Sequence, residues 1–597
     1  MKPWIFICCL AQACLQQAFG ASSSSDAWGQ ACLQQASGAS SSSDAWGKRK
    51  ADFDQEHWKT VSKRLFLQNK LSGRESKEVI QAATGAGAQG HHLNLKPGHK
   101  NAHRDLMRSM IKDSLWPELY WAQIRIKDHK KGSIKHCWHP FLLPHEWLAQ
   151  YCALPQAAED LKPVTGSRYA QHIASTAKEL GKPETGFIPV ALHGDGVPIQ
   201  GTLNEQSLDC FTINLPTSCE NSTVRVPFTV MQKDFMLSSG ETLDDILEVL
   251  CWSLRHLAAG VFPQSRHDAR DWQEGDKKRK TLPAQALPVQ ALLCEIRGDW
   301  DFFEQVLKFP AYNRVSGMCW MCQATYKNFK TSEWRKTELT TSQFLYRNSC
   351  DRKPVCALFS LPGVEPKVCR PDWMHCCDLG IAADIIGHVF MELLDEMPVT
   401  GNPDVKCAAL WQELQAWYTE TKAVNKLSKL TFNMFRHKQA APKLTAKASE
   451  VRTLVHFLPI VCQKYWAQGT LHQKTVCSLV THLAACYAAL SPFDSETLAS
   501  SSKKVAALYI SLEQEALAKD PDDTRTWRIK PKLHLFQHLC EFTDHSPRDY
   551  WCYADESVMG DFGKLFTRRG GANSPGTAAK NMLQKWCASK AFLDIPN

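Results

Sequence analysis

Cys319 and Cys322, in the stretch MCWMCQ, place two thiols three positions apart. Thiols at that spacing can grip a soft divalent cation if two more ligands complete a tetrahedron. A local zinc finger would bring a histidine pair within a dozen or so residues, and none is there. The downstream histidines with ligand spacing are His534 and His538 in LHLFQHL. Four positions apart, they share one face of a helix. Together the two pairs form a Cys2His2 set suited to structural Zn2+. Singly, the cysteines read as buried hydrophobes and the histidines as satisfied core residues. The combination is what points to zinc.

Three carboxylates stand at places where acids can do chemistry. Asp195, in HGDGVP, falls at the end of a strand pattern, and Asp299, in RGDWDF, at the end of another. Glu556, in ADESVMGDF, falls on a helix pattern shortly after the histidine pair. Acids at strand ends, joined by one from a facing helix, can hold Mg2+ or Mn2+ through oxygen ligands. Two such ions about 4 Å apart stabilise the attacking and leaving oxygens of phosphoryl transfer. Each acid alone reads more readily as a turn residue or helix cap. Asp301 competes with Asp299 for the second position, and Asp555 and Asp561 compete with Glu556.

The elements that must position these groups follow from periodicity. Residues 187–199, FIPVALHGDGVPI, read as a strand ending in a glycine-bounded turn. LDCFTINLP and VRVPFTVMQKDFML read as two more, rich in β-branched and aromatic residues. A helix over 242–262 follows, with Thr242 as its N-cap. ALLCEIRGDWDFF gives a fourth strand, PKVCRPDWMH a fifth, and CDLGIAADIIGHVFMELLDE a helix. Residues 400–530 are almost wholly helical in pattern. Hairpin-linked strands followed by crossover units imply an α/β fold, a mixed sheet flanked by helices.

The chain of 597 residues is long enough for several domains and carries a formal charge of +9. The charge is concentrated: residues 48–135 hold 19 Lys and Arg against 9 Asp and Glu. That segment reads as largely helical, and its excess suits a polyanion such as DNA. Its histidines, His91, His92, His99 and His103, read as a solvated loop. Residues 139–154 read as a loop entering an apolar helix, and 161–186 as a linker. The 24 cysteines follow no disulfide-scaffold spacing, which suits a reduced protein. No apolar run is long enough to span a membrane.

MKPWIFICCLAQA has the outline of a secretory signal, but residues 12–29 recur as 30–47 with changes only at Phe19 and Ser37. A recent tandem duplication explains that segment better, and its Ser-rich composition predicts disorder. The basic runs DKKRK (276–280) and GKRK (47–50) are candidate nuclear import signals.

The order Asp195, Asp299, Cys319–Cys322, DWMHCCDLG (372–380), His534–His538, Glu556 resembles the core of DDE transposases. It is closest to the CACTA-type and Kyakuja–Dileera–Zisupton elements, with similarity to Transib-type recombinases. The resemblance covers about 187–565. It implies an RNase H-like fold with a long helical insertion before the last catalytic helix. It also implies Mg2+ or Mn2+ at Asp195, Asp299 and Glu556, and structural Zn2+ at the Cys2His2 set. The implied activity is DNA strand cleavage and strand transfer by a two-metal-ion mechanism, in the nucleus, at transposon ends. No membrane is an expected partner, and assembly into a homo-oligomer is left open. The expected domains are a disordered 1–47, a basic DNA-binding 48–180, a first catalytic part at 181–399, a helical insertion at 400–529, and 530–597 with the histidine pair and last catalytic helix. A catalytically inactive DNA-binding descendant of a transposase, or a secreted metalloprotein, would carry many of the same residues.

Overall fold

In YWAQIRIK every second residue is apolar, and the chain answers with a strand, β1 (Tyr120–Lys127), whose Tyr120, Ala122, Ile124 and Ile126 are buried. The computed structural model describes residues 74–76, 78–79, 107, 116–129, 131–154, 157, 161, 169–199, 207–217, 224–312, 317–331, 333–340, 343, 356–436, 440–541, 544–565 and 574–589. The duplicated segment, the GKRK run, the four clustered histidines and nearly all of 48–115 lie outside them.

The chain forms two compact units. One comprises Tyr120–Pro198 and Leu203–Gly560; the other comprises Met1–Leu119, Ile199–Thr202 and Asp561–Asn597. In the first, β1 pairs antiparallel with β2 (Ile134–Phe141), from Tyr120 opposite Phe141 to Lys127 opposite Ile134. This ribbon replaces the helix expected there. The two-residue period of β1 and its β-branched residues outweigh the helical character of the surrounding basic segment. Helices α1 (Pro144–Tyr151) and α2 (Ala170–Glu179) follow, α2 standing where a linker was expected.

Strands β3 (Phe187–Pro198), β4 (Ser207–Asn214) and β5 (Arg225–Gln232) form an antiparallel meander. All three are buried almost throughout, as strands covered on both faces must be. Helix α3 (Glu241–Ala259) starts from Gly240 at φ 98°, not from Thr242. The Thr242 hydroxyl instead accepts from Leu237 N–H at 3.0 Å and donates to the Arg125 carbonyl at 2.8 Å, tying α3 to β1. The chain then crosses to β6 (Gln290–Arg297), parallel to β3. The mixed sheet has the order β5-β4-β3-β6.

After β6 comes the short helix α4 (Trp300–Gln305). The expected fifth strand does not form: Cys369 makes one parallel bridge to Ile296. Pro366 and Pro371 have no N–H to give a ladder. A wide-turn helix of π type (Met374–Ala382) continues into α5 (Ala383–Glu396). The helical block consists of α6 (Pro403–Glu420), α7 (Ala448–Val455), α8 (Leu458–Trp466), α9 (Leu471–Ala488) and α10 (Ser495–Lys519). Asn402, Thr470 and Asp494 cap α6, α9 and α10 with side-chain oxygens. Helix α10 packs on α11 (Lys532–Glu541), and α11 packs on the π-type helix. Helix α12 (Tyr553–Leu565) follows, and in the other unit Trp586 of α13 (Pro575–Ser589) meets Trp116 edge to face at 4.9 Å. No described helix is long and apolar enough to cross a membrane.

Candidate functional site

The thiols and imidazoles come together from segments more than 200 residues apart in the chain. Cys322 Sγ lies 3.4 Å from His534 Nε2, Cys319 Sγ lies 3.6 Å from His538 Nε2, and the two Nε2 atoms are 3.1 Å apart. A tetrahedral Zn2+ with bonds of about 2.3 Å to sulfur and about 2.0 Å to nitrogen implies S–N edges of roughly 3.5 Å and N–N edges of roughly 3.3 Å. The four donors fit that frame, all lying within 4.8 Å of one another, and all four residues are buried. The cluster could hold a metal such as zinc.

Local structure sets these donors. Met318 N–H reaches Ala324 O at 2.9 Å and closes the cysteine loop. Cys319 Sγ accepts from Met321 N–H at 3.3 Å, and Cys322 Sγ from Ala324 N–H at 3.4 Å, bonds that favour thiolate. Burial opposes ionisation of Cys319, yet Cys322, His534 and His538 together hold its thiol well below its ordinary range. Burial pushes His534 down, which favours the neutral imidazole a metal requires. Arg335 ties the loop to α11, with Nε 2.8 Å from Glu541 Oε1 and a further bond to Gln537.

The carboxylates assemble at one end of the mixed sheet. Asp195 stands inside β3, paired opposite Cys210 and not at the strand's last residue. Its Oδ1 accepts from Gly196 N–H at 2.7 Å. Asp299 is the N-cap of α4, its Oδ1 accepting from Phe302 N–H at 2.7 Å. Each acid follows a glycine for a steric reason. A Cβ on Gly194 would stand 2.0 Å from the Phe302 ring, and one on Gly298 would stand 2.4 Å from it. The Phe302 ring therefore lies against bare backbone on both sides and brings the two turns together.

Glu556, on α12, completes the cluster. Its carboxyl is pushed up to about 8, by burial first and then by the Asp195 charge. Oε1 of Glu556 is buried and takes no hydrogen bond. Burial also pushes Asp299 up, against the Phe302 N–H bond, and Asp195 adds to the rise. Among the described residues, the four-donor cluster that could hold a metal is the Cys2His2 set; the acids are marked instead by mutual repulsion and one unsatisfied oxygen.

The competing acids are engaged elsewhere. Asp555 is wholly buried, and its Oδ1 accepts from Asn214 Nδ2 at 2.6 Å and Arg225 Nε at 2.7 Å. Burial opposes its charge, but His193, Arg225 and Arg297 hold the carboxylate below its usual range. It anchors α12 to β4 and β5, which turns the next residue, Glu556, toward Asp195. Asp301 is exposed, bonded to Gln305 Nε2 at 2.8 Å and 3.7 Å from Lys233 Nζ. Asp561 is exposed.

Two further residues enter the site that no role was assigned to from sequence. Asp372 Oδ2 accepts from the His375 backbone at 2.8 Å and lies 2.7 Å from His375 Nδ1. Oδ1 of Asp372 accepts from Cys552 N–H at 2.8 Å, just before α12. His375 Nε2 is thereby aimed at Glu556 Oε1, 3.7 Å away. Burial opposes protonation of His375, but Asp372, Glu556 and Asp299 raise it to about 9. The signal lay in DWMH: an acid and a histidine three apart meet on one helical turn.

The DKKRK run is not uniformly exposed. Arg279 is buried, bonded through Nη2 to Glu146 Oε2 at 2.8 Å and paired with Asp276 at 3.2 Å. The described cysteines carry no disulfide, and all but Cys137, Cys152 and Cys477 are buried. No protein-family model matches the chain, and no curated protein is found similar to it.

Proposed function

We propose that this protein is a DDE-type transposase, cutting DNA strands and joining the freed 3′-hydroxyl to a target phosphodiester. What carries the reading is that Asp195 acts electrostatically on both Glu556 and Asp299, beside a buried Glu556 oxygen that no donor satisfies. An RNase H-like core of the CACTA-type or Kyakuja–Dileera–Zisupton kind is supported by three things. A meander, β3-β4-β5, is followed by a strand parallel to its first member. Acids stand on that first strand and just after the parallel one. A helical block precedes the helix carrying the third acid.

Asp195, Asp299 and Glu556 would hold two divalent cations, which activate water and stabilise the attacking and leaving oxygens when bound. The chain's own groups prepare the place. Phe302 packs the two aspartate turns together, and Asp555 fixes the rotation of α12. Asp372 fixes the ring of His375, whose protonated Nε2 presents a positive charge to phosphate oxygens beside the acids. The Cys2His2 cluster clamps α11, the helix preceding α12, to the loop after α4. The reading places the chain on transposon-end DNA in the nucleus.

The test is incubation of the purified chain with duplex DNA carrying its element's terminal sequence, with Mg2+ or Mn2+. The reading expects metal-dependent nicks ending in 3′-hydroxyl. DNA binding without any nicking in either metal would replace it with an inactive, transposase-derived DNA-binding protein.

A further inference from the structure

The β1–β2 ribbon has a buried base and an exposed tip. At the base, Leu142 N–H reaches Phe228 O of β5 at 2.9 Å, and Phe141 is wholly buried. At the tip the ribbon is closed by a tight turn, with Gly132 at φ 65° and Asp128 N–H bonded to Ser133 O at 2.8 Å. Lys127, His129, Lys131, Lys135 and His136 are all exposed there. The acid among them is Asp128, 3.9 Å from Lys135. Further down, Arg125 is taken up by Asp245, near Glu241 and Asp244, so the cationic surface is confined to the tip.

The outward face of the ribbon also carries apolar groups in water. Ile134, opposite Lys127, is 53% exposed, and Trp138, opposite Gln123, is 43% exposed. A tryptophan left half in solvent on the same ribbon face as Lys127 suits a partner with both charge and flat apolar edges.

Position supplies the rest. The His129 ring meets Phe235 at 4.5 Å, in the one-turn segment Lys233–Phe235 after β5. Lys233 Nζ in that segment lies 3.3 Å from Asp209 and 3.7 Å from Asp301, and 3.2 Å from where a Cβ on Gly196 would stand. The ribbon tip therefore belongs to the same end of the sheet as Asp195 and Asp299.

We propose that the tip of the β1–β2 ribbon is a duplex-DNA contact element that seats the double helix beside the carboxylate cluster. The inference rests on the transposase reading. Lysines at the tip neutralise phosphates, and a two-stranded ribbon fits a major groove about 12 Å wide. Trp138 and Ile134 cover sugar and base edges.

The test uses the full chain with a short labelled duplex and a chelator present, so that binding is read without cleavage. Replacing Lys127, Lys131 and Lys135 together by Ala is expected to lower affinity roughly tenfold or more at about 0.1 M salt. It should also flatten the slope of log affinity against log salt by about 2 to 3. Trp138→Ala is expected to weaken binding several-fold with the slope kept. Replacing Lys429, Lys503 and Lys504, exposed on the helical block, removes the same charge and should change neither quantity. Equal losses from the two triple variants would overturn the proposal. An unchanged slope in the ribbon variant with new aggregation would make the lysines guards of an exposed strand edge. Those outcomes leave the transposase reading standing, whereas a wild-type chain that binds no duplex removes both.

Discussion

Oε1 of Glu556 lies 3.7 Å from Nε2 of His375, and Asp372 holds the far side of that imidazole at 2.7 Å. Three groups from two segments 180 residues apart are thus in line, because Asp372 also accepts from Cys552 N–H. The arrangement gives a carboxylate cluster one fixed positive neighbour. His375→Ala should therefore lower strand nicking by about 100-fold while leaving zinc content and thermal unfolding near wild type. A nicking rate unchanged by the substitution would remove His375 from the site.

Asp372 also has a structural effect that can be read separately. Asp372→Ala leaves the buried His375 and Cys552 N–H groups without their acceptor. Losing both should destabilise by roughly 2–4 kcal/mol in denaturant unfolding. Asp372→Asn keeps one oxygen acceptor and should recover part of that loss.

Removing the metal should loosen the region between the acids. The purified chain is expected to contain one Zn2+, and Cys322→Ser to release it and lower the unfolding temperature, since structural zinc contributes folding free energy directly. Metal analysis of the two proteins checks this. A wild-type protein without zinc that unfolds at the same temperature as Cys322→Ser would contradict it.

Adjacent residues on α12 should behave in opposite ways. Asp555→Ala takes a buried carboxylate away from Arg225, Asn214 and Arg297 and should cost about 3–5 kcal/mol of stability. Glu556→Gln should cost little stability and abolish nicking. Asp301→Asn, at an exposed position, should change neither much.

The helical block carries a pH signature. His472 bridges Glu392 at 3.1 Å and Glu515 at 2.9 Å, and Glu392 first, then Glu515, raise it to about 9 against burial. Because its pKa is raised above the unfolded value of about 6.5, its contribution is complete below that value and lost as pH rises through about 9. After solvent screening it amounts to about 1 kcal/mol. Wild type should lose that much more stability than His472→Gln between pH 6 and 10 in paired denaturant titrations.

What was legible in the sequence was set by strong local chemistry. The i, i+3 thiols and i, i+4 imidazoles announced a four-donor set, and alternation or dense β-branching marked β3, β4, β5 and β6. Asp299 and Glu556 stand out from Asp301 and Asp555 in the sequence only through the family resemblance, because the burial and partners that distinguish these acids come from distant segments. Asp555 is sequestered by Arg225 and Asn214 from distant strands. β1 is masked in the sequence because basic residues crowd around its clear period of two. The apolar residues near Cys369 imitate a fifth strand that Pro366 and Pro371 do not allow.

The most direct measurement is single-turnover nicking of terminal DNA by wild type and Asp195→Asn, with binding of the same DNA measured in parallel. The substitution removes a cation ligand and no phosphate contact, so nicking in Mg2+ should vanish while affinity stays within a few-fold of wild type. Asp195→Asn protein that nicks at the wild-type rate would contradict the account.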